Sequence, residues 1–451
     1  MSETFDLLIR GGIVATPSGI APADVGVKGG RIAAIGALSG ARAAETFEAR
    51  GLHVLPGVID TQVHFREPGN SHKEDLESGS RAAVLGGVTG VFEMPNTNPT
   101  TTTRQALEDK LARASGRMHC DYAFYVGASP GNVGALSELE RLPGVSGVKA
   151  FLGSSTGTLL LDKEDAILAA LKAGNRRMAV HSEDEARLNE RKPLRVAGDA
   201  RSHPVWRDVE TARASTARVI RLARQAGRRI HVLHVTTAEE LPLLAEARDV
   251  ASVETTPQHL TLAAPECYER LGSYAQMNPP IREACHREAL WRAVNEGLVD
   301  VIGSDHAPHT REEKAKPYPD SPSGMPGVQT LVTILLDHVS AGRLSLERFV
   351  DLTSAGAARL FSIAGKGRIA LGYDADFTIV DLKAKKRIEN SWIASKCGWT
   401  PFDGMETTGW ALATIIRGRM VMRERALVAG GQGTPIRFGE TLVPQRDAAA
   451  A

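Results

Sequence analysis

The sequence predicts a (β/α)8 barrel with a small β-sandwich domain built from both chain termini. Over residues 54–362, eight short apolar runs alternate with segments of helical period, as repeated βα units do. Glycine-punctuated strand patterns occupy both ends of the chain, and 451 residues exceed what a single small core accounts for. An open doubly wound sheet is the alternative, but eight units in about 300 residues suit a closed barrel better.

The same patterns predict the domain boundaries. Residues 1–53 and 363–451 each have too few strand-like runs to fold alone, so they are expected to pair into one β domain, with a polar, alanine-rich tail at the end. Within the barrel, strands are expected at 54–60, 87–93, 120–127, 147–152, 178–181, 229–234, 250–255 and 300–304. Helices with a clear apolar stripe are expected at 101–114, 209–226 and 287–296.

Composition excludes several classes of function. Lys+Arg 54 against Asp+Glu 53 leaves a formal charge of +1, which removes the electrostatic case for nucleic acid or an anionic membrane as a partner. No apolar run approaches the roughly 18 residues that a membrane-spanning helix needs. The four cysteines are too widely spaced for a C-x-x-C metal site or a disulfide framework. The acidic N-terminus does not read as a signal peptide, so a cytoplasmic protein acting on small molecules is expected.

Polar side chains fall at the carboxyl ends of the predicted barrel strands, where barrel enzymes carry their catalytic groups. The first strand runs into Asp-Thr-Gln-Val-His-Phe-Arg-Glu-Pro-Gly at 60–69, and the fourth carries Lys149. The fifth and sixth strands end at His181 and His234, and the eighth runs into 305–309. One histidine at a strand end is more often a hydrogen-bonded core residue, but several at equivalent ends favour a site for zinc or a related divalent ion.

Lys149 has two alternative roles in this pattern. The simpler role is a salt bridge at the end of a strand. The other is a metal ligand, which requires conversion of the amine to a carbamate, because an ammonium group would be repelled by the metal. The position of Lys149 alone does not decide between them.

Seven segments, taken in order along the chain, resemble the cyclic amidohydrolases of the amidohydrolase superfamily, and most of all the dihydroorotases of the long, bacterial type. The resemblance extends from about residue 5 to 425. Its segments are 60–69, 93–99, 148–149, 254–260, 277–282, 304–309 and 322–327. A Gly-Ser-Ser-Thr-Gly sequence at 153–157 adds to the similarity with one branch of these dihydroorotases.

The resemblance implies a role for each matching residue. It implies one or two divalent ions, expected to be zinc, with metal ligands at Gln62, His64, Lys149, His181, His234 and Asp305. It also implies that Lys149 is carbamylated and that Asp305 is the catalytic acid and base. The implied substrate-binding residues are Arg66, Asn96, Asn278, His309 and Gly324. For Asn278, the alternative is a turn-capping amide before two prolines.

Gln62 departs from the pattern of the family, which usually has His-x-His at the end of the first strand. An amide oxygen is a poorer zinc donor than an imidazole nitrogen, so the metal site at this strand should be weakened. The chain could hold two ions with one bound loosely, use a single ion bound by Lys149, His181 and His234, or have lost activity. Loss of activity is the least favoured outcome, because Asp305 and the other implied site residues are all present.

By resemblance, the expected activity is the reversible interconversion of N-carbamoyl-L-aspartate and L-dihydroorotate in pyrimidine biosynthesis. One alternative is another cyclic amidohydrolase, such as an allantoinase or a hydantoinase (dihydropyrimidinase). A second is a non-catalytic subunit, for instance a scaffold for aspartate carbamoyltransferase. A homodimer is expected, and a complex with aspartate carbamoyltransferase is an open question.

The segment 310–326 is predicted to be either a lid over the site or a solvated connection.

Overall fold

A computed structural model describes residues 4–155 and 159–439, and its strands form two sheets. The first sheet contains strands from both ends of the chain: β1 (Thr4–Thr16), β2 (Gly19–Lys28), β3 (Arg31–Gly36), β4 (Arg42–Glu48), β5 (His53–Pro56), β14 (Phe377–Arg387), β15 (Glu406–Ile416), β16 (Arg419–Arg423) and β17 (Ala426–Leu427). The second sheet contains β6 (Val58–Val63), β7 (Val88–Glu93), β8 (Asp121–Gly127), β9 (Val145–Phe151), β10 (Met178–His181), β11 (Ile230–Val232), β12 (Ala251–Thr255) and β13 (Val301–Ile302).

The α-helices lie mainly between the strands of the second sheet. They are α1 (Leu76–Leu85), α2 (Arg104–Ala114), α3 (Leu136–Leu139), α4 (Glu164–Lys172), α5 (Glu185–Arg191), α6 (His203–Trp206), α7 (Val209–Ala226), α8 (Glu240–Ala245), α9 (Pro257–Thr261), α10 (Glu266–Leu271), α11 (Ala284–Asn295), α12 (Arg311–Lys314), α13 (Leu331–Ser340), α14 (Leu346–Val350) and α15 (Gly356–Leu360). None of the helices within 4–155 and 159–439 combines the length and apolar character needed to span a bilayer.

The second sheet is the predicted barrel. Its eight strands are parallel, and each pairs with the next in chain order from β6 to β13. A parallel bridge between Val63 and His306 joins the two ends of the sheet, and the backbone N–H of His64 donates to the carbonyl of His306 at 2.7 Å. The prediction of a (β/α)8 barrel with a separate β domain made by the two termini is therefore confirmed.

The predicted strand at 54–60 is wrong in one respect, because the chain divides it between the two sheets. β5 pairs with β1 and β14 in the terminal sheet, whereas β6 begins the barrel at Val58. Between them, Gly57 packs so closely on Thr89 that a Cβ would lie 2.3 Å from its hydroxyl oxygen. A continuous apolar run does not reveal which of two buried sheets it joins. The terminal sheet therefore extends past the predicted boundary at residue 53.

The predicted helix at 209–226 is confirmed as α7, and its two ends show why it begins and stops there. The side chain of Asp208 accepts a hydrogen bond from the backbone N–H of Thr211, which caps the first turn. Gly227 has a φ of 66°, a left-handed conformation that glycine adopts without strain and that ends the helix. The other two helices are shifted at their first residues, to Arg104 and Ala284.

The terminal sheet has a core to which both of its halves contribute. Ile9, Val27 and Phe47 from the N-terminal strands pack with Phe377 and Ile415 from the C-terminal strands. β5 pairs in parallel with β1 and antiparallel with β14, so it joins the two halves directly. The pairing explains how the two ends of the chain, each with an incomplete set of strands, form one domain.

A segment near the C-terminus closes the end of the barrel opposite the carboxyl ends of its strands. The backbone of Ile436 donates to the carbonyl of Tyr122, which lies at the start of β8. Ile436 and Phe438 pack in the same apolar cluster as Phe92 and Tyr125, which belong to β7 and β8. The predicted tail at 445–451 lies outside the described residues.

A buried ion network connects the barrel to the terminal sheet. The ammonium group of Lys366 lies 2.7 Å from Asp121 of β8, 3.1 Å from Asp374 and 2.5 Å from Asp376 of the C-terminal region. Arg417 contacts the same Asp121 at 2.5 Å. Burial alone would raise the pKa of Asp121, but the two cations hold it below its usual value. Lys366 therefore compensates carboxylates from both domains.

Replacing Lys366 by methionine should destabilise the protein. The substitution leaves buried carboxylates without their shared cation, and breaking a buried ion pair in this way costs about 3–5 kcal/mol. Lys383→Met is the matched control, because Lys383 is an exposed lysine of the terminal sheet. The free energy of unfolding is measured by denaturant titration. An equal stability of the two variants would show that the network does not hold the domains together.

Candidate active site

A narrow polar cavity lies at the carboxyl ends of the barrel strands. The predicted site residues that line it are Gln62, His64, Lys149, His181, His234, Asn278, Asp305 and Gly324. The predicted residues Arg66, Asn96 and His309 do not line this cavity. Asn96 contacts the lining residue His64, His309 contacts the carbonyl of the lining residue Ser323, and Arg66 contacts His309. Thr156 and Gly157 of the Gly-Ser-Ser-Thr-Gly sequence lie outside the described residues.

The imidazoles of His181 and His234 face each other in the cavity. His181 ends β10, and its Nε2 donates to the carboxylate of Glu183 at 2.9 Å, which leaves a lone pair on Nδ1. This Nδ1 lies 3.1 Å from Nε2 of His234. Burial lowers the pKa of both imidazoles, so both rings are neutral near pH 7 and able to bind a metal ion.

His64 and Asp305 form a second pair. Nδ1 of His64 donates to the side-chain oxygen of Asn96 at 2.8 Å, so Nε2 carries the lone pair. Nε2 lies 3.2 Å from Oδ1 of Asp305. A lone pair that faces a carboxylate oxygen is repelled unless a cation or proton lies between them. Because burial lowers the pKa of His64, protonation is disfavoured, and the pair is suited to a cation.

Both pairs have the geometry of two ligands on one divalent ion. Zinc holds nitrogen and oxygen ligands at about 2.0–2.2 Å, so two ligands in a tetrahedral site lie about 3.3 Å apart. Within the described part of the chain, no group of three or more His, Cys, Asp and Glu side chains could hold a metal ion by itself. Each pair therefore fits a divalent ion only with a further ligand from another kind of residue.

Lys149 is the residue in this cavity that could supply such a ligand. It is buried on β9, and its ammonium group makes no hydrogen bond to any described residue. Its nearest aromatic neighbour is the ring of Phe151, whose centre lies 4.6 Å away. Burial lowers the pKa of Lys149 to about 7, partly offset by Asp305. A large fraction of the amine is therefore neutral at physiological pH and is a nucleophile.

Gln62 contacts Asp305 through its amide nitrogen. Nε2 of Gln62 donates to Oδ1 of Asp305 at 2.9 Å, on the same carboxylate oxygen that faces His64. Oε1 of Gln62 is buried and accepts no hydrogen bond from the described residues. The atom that faces Asp305 is thus the one that cannot ligate a metal ion.

Arg66 and His309 form a polar cluster behind the cavity wall. Arg66 donates from Nε to the carbonyl of Pro308 at 3.1 Å, and its Nη2 lies 3.3 Å from Nε2 of His309. On the other side of the ring, Nδ1 of His309 lies 3.3 Å from Lys73 and 3.4 Å from the carboxylate of Glu313. Burial lowers the pKa of His309 to about 3, and the Arg66 cation contributes, so the imidazole is neutral.

Asn278 lines the cavity with an amide whose orientation is fixed. Its Oδ1 accepts a hydrogen bond from Nε2 of His203 at 3.0 Å. Gly324 lines the same cavity with a φ of 136°, and a Cβ there would lie 2.5 Å from the carbonyl oxygen of Ala307. A larger residue at 324 would therefore displace the cavity wall.

A larger outer cavity of about 350 Å³ adjoins the first one and shares Ser155, Asn278 and Ser323 with it. Lys192 and Arg195 line this outer cavity, and neither forms an ion pair with a described residue. The guanidinium of Arg195 lies instead over the ring of Trp206, at 5.5 Å from its centre. The approach to the site is therefore locally positive, although the chain is nearly neutral overall.

Three of the predicted site residues have a strained backbone. Arg66, His234 and Asp305 have φ values of 63°, 36° and 44°, in the left-handed region that residues with a Cβ seldom occupy. Such conformations cost of order 1–3 kcal/mol each and persist where the surrounding structure imposes them. Each of the three directly follows a barrel strand or lies in the loop beyond it, where the turn aims the side chain.

The segment 310–326 is packed against the site. α12 begins at a capping box in which Thr310 and Glu313 each accept a hydrogen bond from the backbone N–H of the other. Lys314 is fully buried and donates to the carbonyls of Gln276 and Pro322. The packing does not match a solvated connection, and it places Glu313 against His309.

Sequence reasoning missed Glu183 and Arg207, which support His181. The guanidinium of Arg207 donates to both oxygens of Glu183, at 3.1 and 2.6 Å, and Glu183 in turn accepts from His181. A carboxylate that accepts from the second nitrogen of a ligating histidine is a recurrent feature of metal sites. The acid two residues after His181 was a usable signal for Glu183, but the sequence gives no comparable signal for Arg207.

Comparison with known proteins agrees with this geometry. A model of the amidohydrolase family matches residues 53–421. The chain belongs to the amidohydrolase family. This amidohydrolase is 39% identical to a dihydroorotase of Halobacterium salinarum over 403 residues, covering 88% of this chain and 93% of that protein. It is 37% identical to an allantoinase of Rubrobacter xylanophilus, covering 99% of both chains.

A solved structure extends the comparison to the fold. The L-hydantoinase (dihydropyrimidinase) from Arthrobacter aurescens superposes on this amidohydrolase with a TM-score of 0.91 at 30% identity, covering 96% of this chain and 99% of that one. All three relatives are cyclic amide hydrolases by name. The amidohydrolase is accordingly a hydrolase acting on cyclic amides, and the expectation of an enzyme, as opposed to a non-catalytic subunit, is confirmed.

Replacing Glu183 by glutamine should weaken metal binding by about 10–100-fold, the usual effect of removing a carboxylate behind a ligating histidine. The amide can no longer fix the tautomer of His181 as a carboxylate does. Zinc affinity is measured by competition with a chromophoric chelator, with Glu190→Gln as the control because Glu190 is an exposed acid of α5. Unchanged affinity in a folded Glu183→Gln protein would remove His181 from the metal site.

Proposed function

We propose that this amidohydrolase is a dihydroorotase, which interconverts N-carbamoyl-L-aspartate and L-dihydroorotate. The observation that carries the proposal is the buried guanidinium of Arg66. It is 5% exposed and has no carboxylate of the described residues within ion-pair distance. Burial lowers its pKa to about 10, so it remains charged near neutral pH. Four carboxylates, Asp305 foremost, act on Arg66 from beyond ion-pair distance. A substrate carboxylate that reached the guanidinium would pair with it directly.

The carboxylate distinguishes dihydroorotate from the neutral rings that related enzymes hydrolyse. Arg66 offers a planar fork of donors for a carboxylate, and the neutral His309 beside it fixes the position of that fork. Asn278, held by His203, offers an amide of fixed orientation to the ring. The positive approach provided by Lys192 and Arg195 suits an anionic substrate.

The side chains in the cavity could carry out the hydrolysis, with Asp305 transferring the proton and Gln62 holding Asp305 in place. When bound, a divalent ion would supply a hydroxide near pH 7 and polarise the amide carbonyl. Asp305 takes a proton from the attacking water and returns it to the leaving ring nitrogen, as a general base and then a general acid. Gln62 keeps one oxygen of Asp305 in place for both steps. His64, His181 and His234 are neutral and would hold the metal, which we expect to be zinc.

Lys149 would join the two ligand pairs as a carbamate. The neutral fraction of its amine would react with carbon dioxide, forming an N–C bond and releasing one proton to solvent. The resulting carbamate carries one negative charge shared by two oxygens in place of a cation. Those oxygens would supply the further ligand that each histidine-containing pair lacks. The modification also removes the unfavourable burial of an ammonium group among metal ligands.

Allantoinase is the second candidate activity, because the relative named allantoinase covers 99% of both chains. Allantoin is a neutral ring and would leave Arg66 without a directly paired carboxylate. The remaining proposals concern the setting of the enzyme: a cytoplasmic homodimer in pyrimidine biosynthesis, with aspartate carbamoyltransferase as a candidate partner.

The purified enzyme should hydrolyse dihydroorotate faster than dihydrouracil, hydantoin or allantoin. In Arg66→Met, kcat/KM for dihydroorotate should fall about 10–100-fold, because a hydrogen bond to a charged group contributes about 1.5–3 kcal/mol. Turnover of the neutral dihydrouracil should change little. Steady-state kinetics on both rings provide the measurement.

Arg368→Met is the control for this substitution, since Arg368 is exposed. Faster hydrolysis of allantoin than of dihydroorotate by the unmodified enzyme would contradict the proposed substrate. An equal loss on both rings in Arg66→Met would mean that Arg66 does not recognise the carboxylate.

Lys149→Ala should abolish turnover and lower the metal content of the protein, because both ligand pairs lose their shared carboxylate. Addition of acetate or propionate should restore part of the activity, since a small carboxylic acid can occupy the vacated space and supply the same two oxygens. Lys172→Ala, at an exposed lysine of α4, should behave as the unmodified enzyme with and without the acid. Normal activity of Lys149→Ala would exclude Lys149 from the metal site.

A further inference from the structure

The two polar atoms of Gln62 differ in their surroundings. Nε2 is satisfied by Asp305, whereas Oε1 is buried without a donor among the described residues. The residue is 1% exposed and lines the cavity. An unsatisfied buried acceptor is unfavourable, and a ligand that donates a hydrogen bond to it would remove that penalty. Oε1 is thus an acceptor at the cavity to which no described residue donates a hydrogen bond.

We infer that Gln62 is a substrate-binding residue and not a metal ligand, and that its Oε1 accepts a hydrogen bond from the N–H of the scissile ring amide. This inference rests on the proposed hydrolysis of a cyclic amide at this site. Gln62, which stands where the family usually has the first histidine of His-x-His, would then take part in substrate recognition. It also leaves the metal ligands as the two pairs described above together with Lys149.

The orientation of the Gln62 amide is set by charge. Reversing the amide would place Oε1 against the carboxylate of Asp305, exchanging a charge-assisted hydrogen bond for a repulsion. Asp60 fixes the backbone of the same residue, since its carboxylate accepts from the N–H of Gln62 at 3.1 Å. The carbonyl end of the side chain is therefore held beside Asp305, with its lone pairs available to the cavity.

The position beside Asp305 identifies the donor. In hydrolysis, water oxygen adds to the ring carbonyl carbon, the C–N bond breaks, and the leaving nitrogen gains through Asp305 the proton that the water gave up. A group next to Asp305 consequently faces that same nitrogen. The nitrogen keeps its own hydrogen throughout, in the ring and in the open-chain ureido product. A hydrogen bond from this N–H to Oε1 can therefore persist from substrate to product and hold the nitrogen in line for protonation.

A substrate series separates this role from metal binding. In the unmodified enzyme, methylation of the scissile ring nitrogen of dihydrouracil should lower kcat/KM by about 10-fold or more, because the donor to Oε1 is lost. Gln62→Met keeps the length of the side chain but removes both polar atoms. This variant should turn over the N–H ring about 10-fold less well, and its preference for the N–H ring over the N-methyl ring should fall several-fold towards 1.

Zinc content per chain, measured by atomic emission after dialysis, should be the same in Gln62→Met and in the unmodified enzyme. Dissociation constants of the two rings, measured by calorimetry, should follow the same ratios as the kinetics. Gln105→Met is the control, because Gln105 is exposed at the start of α2. This control should leave the metal content and the preference between the rings unchanged.

Two outcomes would overturn the inference. Loss of one zinc ion in Gln62→Met would make Gln62 a metal ligand. An unchanged preference for the N–H ring in Gln62→Met would show that Oε1 does not bind that hydrogen. An enzyme that hydrolyses no cyclic amide, yet binds the N–H ring more tightly in a manner that depends on Gln62, would contradict the proposed activity and leave this inference standing.

Discussion

The site depends on the contact between the first and last strands of the barrel. The buried carboxylate of Asp60 accepts from the backbone N–H groups of Gln62, at 3.1 Å, and Ser304, at 2.9 Å. The adjacent N–H of His64 donates to His306 across the same contact. Gln62 and Asp305 are 243 residues apart in the chain, and closure of the barrel at this point brings them to hydrogen-bond distance. Without barrel closure, Asp305 would lack its hydrogen bond from Gln62.

Desolvation determines the chemical state of the groups that the barrel assembles. It favours neutral imidazoles at His64, His181 and His234 and lowers the pKa of Lys149 to about 7. These are the protonation states in which nitrogen can bind a metal ion or react with carbon dioxide. Arg66 stays charged near neutral pH although burial lowers its pKa to about 10, so a positive charge lies close to these neutral nitrogens. In the proposed function, the neutral nitrogens would hold the metal ion and the guanidinium would bind the carboxylate of the substrate.

The alternation of eight apolar runs with helical segments predicted the barrel. The ends of those runs indicated His64, Lys149, His181, His234 and Asp305 as candidate site residues. The sequence pattern did not reveal which other side chains hold those residues in place. Arg207 lies 24 residues from Glu183, so their contact depends on tertiary packing alone. The division of the run at 54–60 was hidden for a similar reason, because both of its halves are buried. The left-handed backbone at His234 has no sequence signal, as it is imposed by the surrounding loop.

The contact of Ile436 and Phe438 with the inner face of the barrel makes the catalytic unit longer than the barrel segment itself. During synthesis, the ribosome adds Phe92 and Tyr125 more than 300 residues before it adds Ile436 and Phe438, which cover them. The barrel therefore stays open at that end until the segment after β17 has emerged and docked. A shorter chain ending after β17 would contain every residue of the site but would lack Ile436 and Phe438, which cover the barrel interior.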